Sequence, residues 1–326
     1  MSSTVGEGGL TALSAFRGPI PGPMTPVRIR LRDHGPGDTS EEERGVPVEY
    51  VAAPTRGRVY RTSRRVYLGD VDGGAHLRLE ALARFLQDTA TDDVDDVGIP
   101  DRGGVWVVRR VNLEITARPR YLDRVGLETF CSGIGPRWAE RRTTMRGADG
   151  PMVEAAAIWV FIDGAGGRPL PLDDGFEQFY AEAAGGRRVS GRLEHPRPPE
   201  GVATRPWPVR ESDFDILDHI NNARYLEAIE DELARRLPNR SVVRASIEYR
   251  GAVERSDSVE LAAEVVGPAA DGDDAGADGS GNEGERQLTV WLLTGGEVRM
   301  SAVVTTVPSS RPMQLRGSPT ERAPVA

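Results

Sequence analysis

Arg210-Glu211-Ser212-Asp213-Phe214-Asp215-Ile216-Leu217-Asp218-His219-Ile220-Asn221-Asn222-Ala223-Arg224-Tyr225-Leu226 places an Asp-rich turn directly before an apolar stripe at helical spacing, Leu226, Ile229, Leu233 and Leu237. The same order occurs earlier in the chain. Asp70, Asp72 and His76 stand 143 positions before Asp213, Asp215 and His219. They precede a second stripe of Leu79, Leu82, Leu86 and Ala90, which Val94 and Val97 extend. After each stripe the pattern changes to strand-like segments. These are 105–115, 124–132, 139–146 and 153–162 in the first copy, and 242–249, 258–266, 287–293 and 298–307 in the second. Alternation is clear in Val259-Leu261-Ala263-Val265. A short strand, one long helix and an antiparallel meander, all present twice, predict an α+β fold. Each of two antiparallel sheets wraps a central helix, and the sheets can join side by side into a continuous one.

Composition divides the rest of the chain. Residues 1–57, with Gly and Pro clusters and the run Glu41-Glu42-Glu43, read as a disordered leader, and residues 308–326 as a disordered tail. The repeated blocks are 58–184 and 205–307, joined by a Pro- and Arg-rich linker, 185–204. Within the second block, 268–285 is an acidic Gly/Asp-rich insertion. Its Asp271-Gly272-Asp273 opening is calcium-loop-like, but Ala275 and Asn282 stand where an oxygen ligand and a bidentate Glu are required. A solvated insertion without metal is the expectation.

Several function classes are excluded by composition. All 41 basic residues among the 326 are Arg, so no lysine nucleophile or Schiff base is available. A net charge of -9 argues against a nucleic-acid binder. Cys131 is the single cysteine and lies in an alternating apolar stretch, which excludes an intrachain disulfide and predicts a buried side chain. No signal peptide and no membrane span is legible, so a cytoplasmic protein is expected.

Around Asp215 the pattern S-D-x-D-x-x-x-H-I-N-N-x-x-Y resembles the hotdog thioesterases, both the single-domain 4-hydroxybenzoyl-CoA type and the plant-type acyl-acyl-carrier-protein (acyl-ACP) thioesterases. The first block separates these branches. Leu82-Ala83-Arg84-Phe85-Leu86-Gln87-Asp88-Thr89-Ala90 resembles the plant family's helix. Trp106-Val107-Val108-Arg109-Arg110 and Ile158-Trp159-Val160 resemble two of its strands. The resemblance runs over about 58–307 and implies a tandem (double) hotdog that hydrolyses fatty acyl-ACP to free fatty acid and carrier protein, without a cofactor. Acyl-CoA or polyketide thioester hydrolysis, and acyl binding without catalysis, are the alternatives.

The chemistry agrees with that resemblance. Thioester hydrolysis needs a carboxylate or imidazole to activate water, or a carboxylate to attack, and donors for the oxyanion. Asp215 and His219 flank a turn feeding a helix expected to start near Asn222, whose N-terminal N–H groups are natural oxyanion donors. On spacing alone the same turn also fits a plain helix cap. The resemblance makes Asp215 the essential carboxylate, gives His219 an orienting or proton-relaying role, and makes Asn221 and Asn222 residues that shape the site. Leu217 stands where the family has Asn, and Val253 excludes a cysteine nucleophile. Glu254, displaced in register, is the further catalytic candidate. His76 lacks the Asn pair and reads as the relic of a duplicated site. The resemblance places the acyl chain in the first block, lined by Leu82, Phe85, Leu86, Ala90, Val111, Leu113 and Trp159, each of which also fits an ordinary core position. An acidic carrier protein requires a local Arg patch, for which Arg61, Arg64, Arg65, Arg137, Arg141, Arg142, Arg187 and Arg188 are available. A monomeric pseudo-dimer or a homodimer both fit.

Overall fold

Alternating segments pair into ladders because each can bury one face and hydrogen-bond its neighbours. In the computed structural model, which describes residues 48–98, 104–163, 167–266 and 284–309, ten strands form one antiparallel sheet. The first block contributes β1 (Tyr60–Arg65), β2 (Gly104–Ile115), β3 (Arg124–Ile134), β4 (Trp138–Gly147) and β5 (Gly150–Asp163). The second contributes β6 (Thr204–Pro206), β7 (Arg240–Tyr249), β8 (Val259–Val266), β9 (Arg286–Thr294) and β10 (Glu297–Pro308). The order is β1-β3-β4-β5-β2-β7-β10-β9-β8-β6. It reads as the same five-strand arrangement outward from the centre in both directions. The seam is β2 against β7, with Arg110 opposite Glu248 and Glu114 opposite Arg244. The expected pair of sheets is thus joined into one.

Helix α1 (Leu79–Val97) and helix α3 (Tyr225–Arg236) lie on the same face of this sheet and share one apolar core. Leu79, Leu82 and Phe85 of α1 meet Leu226 and Ile229 of α3 there, with Leu113, Leu127, Ile247, Leu261 and Val290 from the strands. Buried carboxylates anchor both helices. Asp93 of α1 is fully buried and accepts from Arg58, Arg141 and the Tyr180 hydroxyl. Glu232 of α3, also fully buried, is held by Arg205, Arg235 and Arg236. The guanidinium partners of each offset the cost of burying a carboxylate.

Three features differ from the sequence expectation. First, α2 (Asp174–Ala184) is an additional helix capped by the Asp173 side chain, which accepts from the Phe176 N–H. Phe176, Tyr180 and Ala184 pack on Cys131 and Ala139, so the cysteine is buried as expected. Second, the linker carries no helix or strand before β6 begins at Thr204, but it crosses the sheet face opposite α1 and α3. Trp138 Nε1 donates to Val189 O, Arg110 to Arg192 O, and Trp291 Nε1 to Pro196 O. Glu248, fully buried, accepts from the Glu194 and His195 N–H groups, and the His195 ring lies between the Ser246 and Ser301 hydroxyls at 3.0 Å each. Prolines prevent secondary structure without preventing a bound conformation. Third, residues 48–57, expected within the leader, make specific contacts, including the Tyr50 ring under Arg142 and an Arg56–Glu182 pair. Residues 1–47, most of the acidic insertion and most of the tail lie outside the described residues. No helix among the described residues is long and apolar enough to cross a membrane.

Candidate active site

The Asp-rich turns of the two units share their main backbone bonds. Asp215 N donates to His219 O at 2.9 Å, and Asp72 N to His76 O at 2.8 Å. Asp218 N reaches Asp215 O at 3.0 Å, and Ala75 N reaches Asp72 O at 2.9 Å. Asn221 N bonds Asp213 O at 2.8 Å, and Arg78 N bonds Asp70 O at 2.9 Å. Each turn holds a non-glycine residue in the left-handed region, Asp218 at φ 60° and Ala75 at φ 61°. Each is also tied to the loop that follows its unit's first meander strand. Ile220 N donates to Val253 O at 3.2 Å, and Leu77 N to Pro119 O at 2.7 Å. Val253 therefore corresponds to Pro119, Ala252 to Arg118, and Glu254 to Arg120.

This equivalence exposes an electrostatic difference. Asp72 Oδ1 accepts from the Gly74 and His76 N–H groups, and Oδ2 is paired with Arg118. Burial alone would raise Asp72, but the His76 N–H and the Arg118 guanidinium outweigh it and leave the carboxyl below its usual value. In the second unit Ala252 stands in place of that arginine. Asp215 Oδ1 accepts from Leu217 N at 2.9 Å, and burial lifts its carboxyl above the ordinary value despite this bond and the nearby His219. The two aspartates thus share a backbone fold and differ in charge environment.

His219 is only 9% exposed, and its Nε2 has no hydrogen-bond partner among the described residues. Such a buried polar atom is costly unless a ligand or water meets it. Asn221 holds the turn, its Oδ1 accepting from Ala223 N and its carbonyl from Arg224 N. That local bonding competes with helix formation and delays α3 to Tyr225, three residues later than the expected start. The Asn222 N–H is left without a partner among the described residues, while its carbonyl accepts from the Tyr249 hydroxyl. Arg255 clamps the turn from outside, pairing with Asp218 and Glu211 over the Phe214 ring at 4.4 Å.

The other sequence candidates fall in different surroundings. The Glu254 N–H donates to Asp257 Oδ2 in a short turn, and no hydrogen bond joins the Glu254 carboxylate to Asp215 or His219. Leu82, Phe85 and Leu113 are packed core residues, whereas Leu86, Val111 and Trp159 lie half-buried at its margin. Trp159 Nε1 is buried without a partner, and Ala90 is buried. Of the arginine clusters, Arg61, Arg64, Arg141, Arg142 and Arg187 are engaged by Glu128, Asp92, Asp93, Glu154 and Glu140. Sequence reasoning did not single out Ala252, Arg118 or Glu230, whose positions become meaningful only across loops and between units. Among the described residues no cluster of His, Cys, Asp and Glu could hold a metal.

Comparison with known proteins places this geometry in a family. The acyl-ACP thioesterase N-terminal domain matches residues 57–180, and the acyl-ACP thioesterase C-terminal domain matches residues 198–292. An uncharacterised protein of Mycobacterium tuberculosis is 23% identical over 218 residues, 67% of this chain and 87% of that protein. The chloroplastic oleoyl-acyl carrier protein thioesterase 2 of Arabidopsis thaliana is 24% identical over 212 residues, 56% of each chain. The solved 12:0-ACP thioesterase from Umbellularia californica shares the fold, with a TM-score of 0.63 at 16% identity over 77% of this chain and 94% of its own. The two domain matches cover most of the described sheet and the whole of the Asp215 turn, and the chain therefore belongs to the acyl-ACP thioesterase family, a double-hotdog hydrolase of fatty acyl-ACP thioesters.

Proposed function

We propose that hydrolysis takes place at the Asp215–His219 turn of the second unit and that the equivalent turn of the first unit is silent. The observation that carries this reading is the charge environment of the two aspartates: Arg118 pairs with Asp72, whereas Ala252 occupies the equivalent loop position in the second unit and burial raises the basicity of Asp215. A carboxylate with no fixed cation is free to accept a proton. Asp215 takes a proton from water as the water oxygen bonds to the thioester carbon, and the carbonyl electrons move onto oxygen. The Asn222 N–H stabilises that oxyanion. When the intermediate collapses the C–S bond breaks, and the proton passes to the departing sulfur, with His219 Nε2 placed to orient the thioester or relay it. The products are a fatty acid and the carrier's free thiol.

The acyl chain is assigned to the first unit, with the half-buried Leu86, Val111 and Trp159 as its nearest lining and Ala90 further along α1. Acyl carrier protein is the partner that delivers it. The arginines already held in ion pairs are poor docking points, so Arg65, Arg137 and Arg188 are the better contacts among those named. One chain already contains both halves of the joined sheet, which favours a monomeric pseudo-dimer acting in the cytoplasm. The test is thiol release from acyl-ACP by the Asp215→Asn variant. The near-isosteric amide keeps the Leu217 bond but cannot act as a base, so turnover should vanish while the melting temperature holds. Wild-type turnover in that variant would sink the assignment.

A further inference from the structure

Glu230 of α3 reaches across to the other unit. Its Oε1 accepts from the N–H of Leu79, the first residue of α1, at 2.6 Å. The offset of 143 that superposes the two turns carries Glu230 onto Gln87, and Asn222 onto Leu79. The α1 and α3 helices face each other across the axis relating the units, and the Arg224–Glu80 pair at 3.5 Å bridges them near that crossing. Gln87 lies two turns beyond Glu80 on the same side of α1, and the relation between the units assigns it the place opposite Asn222 that Glu230 holds opposite Leu79.

Leu79 begins α1 whereas Asn222 lies in the turn before α3, and the two cross-unit positions also differ in how their N–H groups are met. In the first unit a carboxylate oxygen already fills the helix-start N–H. In the second, neither the Asn222 N–H nor the half-buried Gln87 side-chain amide has a hydrogen-bond partner among the described residues. Glu230 Oε1 therefore marks, in the silent unit, the place that an oxygen from outside occupies in the working one. Resting on the reading of Asp215 as the hydrolytic carboxylate, we infer that the Gln87 amide, supplied by the first unit, donates a hydrogen bond to the thioester carbonyl oxygen beside the Asn222 N–H. Gln87 is then a catalytic residue, and the two units are needed together because each contributes one oxyanion donor. An amide suits the position where a carboxylate would not. A glutamate would compete for the N–H and repel the developing negative charge.

The experiment compares Gln87→Met, Gln87→Glu and Asp215→Asn in thiol release from acyl-ACP, with melting temperatures alongside. Gln87→Met keeps the length and removes the donor. Its kcat should fall about 10²- to 10³-fold with KM little changed, as for loss of one oxyanion donor. Gln87→Glu should fall further near neutral pH. Its kcat relative to wild type should rise as pH is lowered, because the protonated acid regains a donor, a signature that a packing role would not produce. If Asp215→Asn is inactive while Gln87→Met retains wild-type kcat, the role of Gln87 is overturned and the Asp215 reading stands. If Asp215→Asn is fully active, it is the reading of the site that fails.

Discussion

If Asp215 is the hydrolytic carboxylate, placing an arginine at position 252 should weaken it as a base, as Arg118 helps hold the Asp72 carboxyl below its usual value. The backbone correspondence of Val253 with Pro119 puts residue 252 where Arg118 stands, and Ala252 is half-buried, so a guanidinium there can reach Asp215 as Arg118 reaches Asp72. The Arg118–Asp72 pair is partly shielded, with 24% and 35% of the side chains exposed. Two unit charges about 4 Å apart at an effective dielectric near 20 interact by about 4 kcal/mol, which desolvation and side-chain ordering reduce. A neighbouring guanidinium typically lowers a carboxyl by about 1–3 pKa units. At about 1.4 kcal/mol per unit, Asp215 would lose up to tenfold in proton affinity for each unit, or about 10- to 10³-fold in base strength. The assay is the pH profile of kcat/KM for acyl-ACP hydrolysis by Ala252→Arg, with Ala252→Met as the control for bulk alone. The arginine variant should show a lower plateau and an acidic limb displaced to lower pH. The methionine variant should keep the limb in place. A folded Ala252→Arg enzyme with an unmoved limb and wild-type plateau would refute the argument that the absence of a cation is what distinguishes Asp215.

Further outcomes follow from the same contacts. Loss of the imidazole in His219→Ala should lower turnover strongly, whereas His76→Ala should leave it nearly unchanged; equal losses would mean that both turns work. Burial pushes the Glu230 carboxyl up to about 7 despite the Leu79 N–H. Between the unfolded value near 4.5 and about 7 the folded chain holds the extra proton, so stability should decline as pH rises across that window, by at most about 3.5 kcal/mol at 1.4 kcal/mol per unit. Glu230→Gln should flatten that slope in denaturant titrations, and an unchanged slope would exclude Glu230 as its source. Ala90→Phe should shift relative rates among acyl-ACPs of different chain length if Ala90 lines the tunnel. If Ala90 is ordinary core, overpacking should cost about 1–3 kcal/mol with the ranking intact.

The local pattern along the chain was enough to locate the two units and the strands within them. Alternation and helical spacing are short-range properties, and a duplication makes each copy a check on the other. That is why the four meander strands of each unit lie within a few residues of their expected bounds, and why Asp215, His219 and Asn221 gather in one turn. Other features depended on partners distant in sequence. Helix α2 gains its place by packing Phe176 and Tyr180 on β3 and β4 residues, and the proline-rich linker is ordered by Trp138, Glu248 and Trp291 on strands it crosses. The late start of α3 follows from the Asn221 side chain competing for backbone bonds, a contest that apolar spacing does not report. The difference between the two carboxylates was equally invisible in the motif, because Asp72 and Asp215 sit in the same local sequence pattern. It arises from a loop residue 46 positions beyond Asp72, present as arginine in one unit and alanine in the other, and Glu230 meets Leu79 across 151 positions. Charge environment is set by what folding brings close, so the sequence named the turn and preferred its second copy, while only the tertiary structure showed that, among the described residues, Asp72 is paired with an arginine and Asp215 is not.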